Sequence, residues 1–85
     1  MARIYEEFEI LAAQLEIKII QGKGNFNGGY CTLENEPVIV LNENKPLEQR
    51  IKKLAEIFSK LDISNLSMKP IIREKIDAER TTTLF

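Results

Sequence analysis

Apolar and polar positions alternate along this chain with two different periods. The longest helical pattern lies in residues 46–61, PLEQRIKKLAEIFSKL, where Leu47, Ile51, Leu54, Phe58 and Leu61 recur at steps of four, three, four and three. At about 100° per residue these side chains share one stripe roughly 80° wide, and Ile57 widens it on one flank. The spacing predicts an amphipathic helix around which the other segments must pack. Pro46 suits its first helical position, where the missing N–H costs nothing. A second helical pattern covers residues 2–14. Ile4, Phe8, Leu11 and Leu15 are spaced four, three and four apart, with Ala12 and Ala13 between them. Glu6, Glu7 and Glu9 fall in the first half of this segment, where the helix dipole favours negative charge.

The period then shifts toward two. Residues 16–21, EIKIIQ, are few and rich in β-branched side chains, as a strand is. Residues 30–34 alternate, with Cys31 and Leu33 on one face and Tyr30 and Thr32 on the other. Cys31 and Leu33 are the expected inward pair, which makes Cys31 a small buried hydrophobe. Asn35 and Glu36 read as a two-residue turn. Pro37 can open the next strand, where its missing donor is tolerated. Val38, Ile39, Val40 and Leu41 are apolar on both faces, which suits a strand covered on both sides or a central one. Residues 42–45 lead into the organising helix. A polar connector with apolar plugs at Ile63, Leu66 and Met68 follows it. Pro70 then starts a last helix with Ile72 and Ile76 inward, extended by Ala78, Glu79 and Arg80. Three threonines in residues 81–85 disfavour its continuation.

The element order is therefore α-β-β-β-α-α. The expected fold is a small α+β domain over residues 1–80, a three-stranded antiparallel meander packed on helices, with a tail at 81–85. Eighty-five residues make one domain with a thin core. Twelve basic and thirteen acidic residues give a formal net charge of −1. No basic excess is available for a phosphate backbone, so nucleic acid is not an expected partner. No apolar run approaches the ~20 residues that span a bilayer. The acidic, amphipathic start does not fit a signal peptide, and a single cysteine forms no internal disulfide; both favour a cytoplasmic protein.

Histidine is absent. That removes Ser–His and Cys–His nucleophile pairs, the HExxH zinc motif and imidazole ligands generally. One cysteine builds no thiolate cluster, and no D-x-D-x-D-G loop is present for an all-oxygen site. No metal or other cofactor is expected. Residues 22–29, GKGNFNGG, hold all four glycines. They lack the Gly-Lys-Ser/Thr of a phosphate loop and are followed by a strand, so a flexible loop is the better reading. Phe26 within it either folds back onto the core or meets a partner.

Gly29-Tyr30-Cys31 in the middle strand, residues 38–42 (VIVLN) in the last strand and residues 54–59 (LAEIFS) on the helix together resemble the N-terminal core of the ImmA/IrrE-type metallopeptidases, a minimal zincin fold. The resemblance covers residues 15–61. In that family the helix reads roughly L-A-H-E-x-x-H. Laid on this chain, Ala55 takes the place of the first histidine, Glu56 that of the general base and Ser59 that of the second histidine. The resemblance thus implies a degenerate metallopeptidase-like fold without its metal, with Glu56 as the residual motif position. Glu56 lies about 180° from the apolar stripe, with Ala55 and Ser59 on the flank between.

Two classes of function follow. The first is a small non-catalytic domain that binds another protein or itself, with Phe26, Leu84 and Phe85 as candidate contact residues. The second is an enzyme that uses Cys31 or carboxylates in a site invisible to sequence. A reactive Cys31 needs a lysine, an arginine or a helix end to lower its pKa, since no histidine can. The first class is favoured and carries no catalytic residues. One prediction is immediate: elemental analysis of protein purified without chelator should find no stoichiometric zinc, and one zinc per chain would refute the ligand argument.

Overall fold

The computed structural model describes residues 2–26 and 28–82. Helix α1 (Ala2–Gln14) leads into strand β1 (Lys18–Gly22). Strands β2 (Gly29–Leu33) and β3 (Glu36–Asn42) follow, then helices α2 (Leu47–Ser59) and α3 (Pro70–Thr82). The architecture is α+β in the expected element order. The turn out of α1 is closed by Ile17 N–H to Ala12 O (2.9 Å) and Glu16 N–H to Ala13 O (3.0 Å), with Glu16 left-handed at φ 58°. This is the Schellman ending that glycine usually supplies.

The sheet is mixed and not the antiparallel meander that the element order suggested. Strand order is β1-β3-β2: β3 lies in the centre, antiparallel to β2 and parallel to β1. Two physical reasons place β3 there. Val38, Ile39 and Leu41 suit the position flanked on both sides, whereas β1 carries Lys18 and Gln21 and β2 carries Tyr30 and Thr32, polar groups that edges tolerate. The six residues from 23 to 28 also reach much farther, up to ~20 Å, than the roughly 10 Å between the two edge strands. A parallel pair needs a long crossover, and here strand β2 itself forms part of it.

That crossing explains the glycine-rich stretch. The loop passes over the C-terminal end of β3, and Asn42 holds it there. Asn42 is 3% exposed. Its Nδ2 donates to Gly24 O (2.8 Å) and Phe26 O (2.7 Å), while its Oδ1 accepts the N–H of Asn44 (3.0 Å). Only this amide orientation satisfies all three groups. Glu43 N–H donates to Gly22 O (2.9 Å) and extends the seam. A Cβ on Gly28 would stand 2.5 Å from Val40 O, and its φ is +79°, so glycine alone fits that close approach. Phe26 folds over its own loop and does not join the core. Its ring covers Gly22 and Gly24 and is half-buried.

The hairpin from β2 to β3 turns at Glu34 and Asn35, one residue earlier than expected, with φ of 50° and 70° at the two corners. Positive φ at both is the type I′ geometry that matches strand twist. Leu33 pairs with Glu36 and Thr32 with Pro37. The alternation of an antiparallel ladder makes Thr32–Pro37 a pair without ladder bonds. Pro37 also precedes Val38, where pairing with β1 begins. Its missing N–H is therefore harmless, although its strand is central.

Helices α1 and α2 cover one face of the sheet, and α3 packs against the two of them. Ile17, Ile39 and Leu41 join Phe8, Leu11, Leu54, Phe58, Ile63, Ile72 and Ile76 in a single core. Phe8 and Phe58 stack at its middle with ring centroids 5.7 Å apart. The opposite face carries Ile20, Val38, Val40, Cys31 and Leu33, and among the described residues no helix lies over it. Cys31 and Leu33 are therefore exposed, which corrects the expected inward pair. The two faces of β2 alternate as expected but are reversed: Tyr30 and Thr32 share the side of Ile39, the pairing partner of Tyr30 across the ladder. Pro46 precedes the first residue of α2 as its N-cap, one position earlier than expected. Helix α3 runs through Thr81 and Thr82, past the expected stop, and Leu84 and Phe85 lie outside the described residues.

Glycine contacts make a sharp contrast. Gly28→Ala should destabilise by about 2 kcal/mol or more through the Val40 clash and the positive φ. Gly29→Ala has nothing within 4 Å of the new Cβ and should stay within about 1 kcal/mol. Urea melts of the two variants check the crossing geometry.

Candidate functional site

Glu56 and Cys31, the two residues with potential for chemistry, are on opposite sides of the sheet. Strand β2 separates them: Tyr30 projects toward α2, and Cys31, its neighbour in sequence, projects to the helix-free face. On the helix side, Gly29 and Tyr30 of β2 meet Lys53, Glu56, Ile57, Lys60 and Leu61 in and just beyond α2. They enclose a shallow cleft of about 400 Å³. Its floor is apolar at Ile57 and Leu61 and its rim is charged. Glu56 lies 3.6 Å from Lys53 Nζ and 3.9 Å from Lys60 Nζ, and its side chain is 36% exposed. Pairs this long and this exposed contribute little to stability. Two lysines against one carboxylate leave the rim with an excess of positive charge.

Of the three positions laid on the zincin helix, Glu56 lines this cleft and Ala55 and Ser59 do not. Ala55 and Ser59 are buried, 2% and 9% exposed, on the side of α2 that meets α3. Lys52 Nζ to Glu79 (3.3 Å) and Arg80 Nε to Ser59 O (3.1 Å) frame that contact. Ser59 Oγ donates to Glu56 O (2.6 Å), a bond within its own helix. The small side chains at 55 and 59 let α3 approach closely. Sequence periodicity puts them on a flank of α2; which element covers that flank depends on the path of residues 60–69. Among the described residues no group of three or more His, Cys, Asp or Glu side chains is placed to hold a metal ion.

A polar relay ties the helices to β1. Gln21 Nε2 donates to Tyr5 Oη (2.9 Å), Arg50 Nη1 donates to Gln21 Oε1 (2.9 Å), and Arg50 Nε donates to Lys45 O (3.1 Å). Burial, and after it the Glu9 carboxylate, push the Tyr5 phenol above its ordinary value; Arg50 and the Gln21 bond pull it back. The relay joins α1, β1, α2 and the loop before α2 and reads as structure.

The residues that sequence reasoning missed are Tyr30, Thr32 and Leu33 on β2. All five residues of β2 are half-buried or exposed, and Tyr30 and Leu33 are 45% and 52% exposed. β2 is an edge strand with no charged residue, no proline and no bulge. The available signal was the uncharged stretch Gly-Tyr-Cys-Thr-Leu, which reads equally as a covered strand until the strand order is known. No protein-family model, curated protein or solved structure matches the chain. No helix among the described residues is long and apolar enough to cross a membrane.

Leu54 and Phe58 are fully buried, whereas Glu56 sits at the rim. Leu54→Ala or Phe58→Ala should therefore destabilise by about 2–5 kcal/mol. Glu56→Ala should stay within about 0.5 kcal/mol. Denaturant melts that show a large loss for Glu56→Ala would place that carboxylate in a tighter network than the distances describe.

Proposed function

We propose that this chain is a small non-catalytic protein-interaction domain that binds through the free edge of β2. The observation that carries the reading is the chemistry of that edge. Natural sheets blunt exposed edges with lysines, prolines, bulges or a covering element. β2 has none of the first three, and its residues stay accessible. An unpaired edge accepts an extended segment by adding a strand, with main-chain bonds for affinity and side-chain pockets for specificity. The cleft under Tyr30 supplies such a pocket, apolar at its floor and cationic at its rim. The opposed placement of Cys31 and Glu56 supports binding over an enzyme built on those two groups. On this reading the likeness to the ImmA/IrrE core is that of a fold whose metal-binding positions have become helix-packing positions, with Glu56 a surface remnant.

The test is capture by the tagged full chain in extract from its native source, wild type against Thr32→Pro. Thr32 uses no ladder bond to β3, so the proline leaves the fold intact while removing an outward donor. A partner held by the wild type should be lost by at least about tenfold, as expected when an edge hydrogen-bond set fails. Equal recovery, with folding confirmed by circular dichroism, would overturn binding at this edge. Leu33→Lys is a second variant with a side chain already in solvent and should act the same way.

A further inference from the structure

β2 offers a fixed set of backbone groups. The Leu33–Glu36 pair closes a two-residue turn, and such a closing pair carries both ladder bonds. Pairs alternate from there. Gly29, Cys31 and Leu33 direct their N–H and C=O groups to β3, and Tyr30 and Thr32 direct theirs outward. Within the five residues of the strand, one symmetric arrangement satisfies all four outward groups. Tyr30 lies opposite Thr32 of a second copy, and Thr32 opposite Tyr30 of that copy. Centring the pair on Tyr30 or on Thr32 keeps only one outward pair inside the strand.

The side chains agree with that register. On the helix-free face, exposed Leu33 falls opposite Gly29 of the second copy, where there is no side chain and where open space surrounds the Cβ position. On the helix face, Tyr30 meets Thr32. Charge agrees as well. The strand itself carries none, so two copies approach without repulsion. The Gly29 end of β2 is the end beside Lys53 and Lys60. Antiparallel pairing brings the hairpin tip of the second copy to that end, with exposed Glu34 at its corner. The same acidic-to-basic contact recurs on the other side of the twofold axis.

We propose that the partner at this edge is a second copy of the chain, paired antiparallel through β2 in the register centred on Cys31, so that two three-stranded sheets join into one of six strands. This rests on the reading of β2 as a binding edge and names its occupant. Five residues a side compare with the 20–30 of a standard interface, so the dimer is transient and forms at high protein concentration.

The register makes its own probe. Cys31 faces Cys31 as a pair without ladder bonds, with Cα atoms about 4.5 Å apart, inside the range that a disulfide spans. Diamide takes two electrons and two protons as the two thiols join into one S–S bond. In a concentrated solution of the full chain it should yield the disulfide-linked dimer as the main product. Thr32→Pro should slow this by about tenfold or more. In the double variant Cys31→Ser with Thr32→Cys, the new thiols sit about 8 Å apart by Cα and should not couple. Without oxidant, Cys31→Ser should show a light-scattering mass that climbs toward twice the chain mass with concentration. Dimerisation is overturned if Cys31→Ser stays monomeric at every concentration, or if Thr32→Pro crosslinks as fast as wild type. The register is overturned if the double variant couples as fast as wild type. If self-association fails while Thr32→Pro still loses a captured partner, the edge binds another protein and only the homodimer falls. If Thr32→Pro changes neither, the binding edge falls too.

Discussion

The architecture depends on one buried amide. A chain that places β1 and β2 on opposite sides of β3 must carry its connection across the end of the sheet, and the loop carbonyls that arrive there need donors. Asn42 meets two of them with the two hydrogens of a single Nδ2 and turns its oxygen to the loop that starts α2. An unmet carbonyl in such a place costs about 1–3 kcal/mol. One side chain therefore fixes the crossing, the end of β3 and the approach to α2 together. The parallel register of β1 on β3 and the edge position of β2 are held in place by it.

What was legible from sequence was periodic. The helices, the three strands and their order follow from apolar spacing, and the buried row Ile51, Leu54 and Phe58 is the one the spacing picks out. Strand order within the sheet was not legible, because EIKIIQ and the Tyr30–Thr32 alternation fit a meander and a mixed sheet equally well. The difference lies in residues 23–28, where glycine and asparagine signal a loop without saying what it crosses. The face of β2 failed for a related reason. Alternation divides Tyr30 and Thr32 from Cys31 and Leu33, but which pair is inward is set by the pairing of Tyr30 with Ile39. Apolar character pointed to Cys31 and Leu33; topology put the helices on the other side.

The candidate site inherits that uncertainty. Glu56 was placed correctly at the solvent side of α2, since its angle from the apolar stripe depends on the helix alone. Ala55 and Ser59 were placed on a flank whose covering could not be read, because α3 reaches them only through a connector with little regular pattern. The sequence offers Phe26 the core or a partner, and its ring lies over Gly22 and Gly24 of its own loop. Tyr30 and Thr32 matter only once β2 is known to be an edge, a property of the sheet and not of the strand.

The crossing also orders events during synthesis. Gly22 pairs beside Asn42, so the last residue of β1 leaves the ribosome twenty positions before its partner does, a wait of roughly one to four seconds at usual elongation rates. A β2–β3 hairpin closes in microseconds once both strands are out. The first strand is thus the last to find its place. Until then Ile19 has only α1 for shelter, and this early segment depends on that helix to stay unengaged until the sheet is ready.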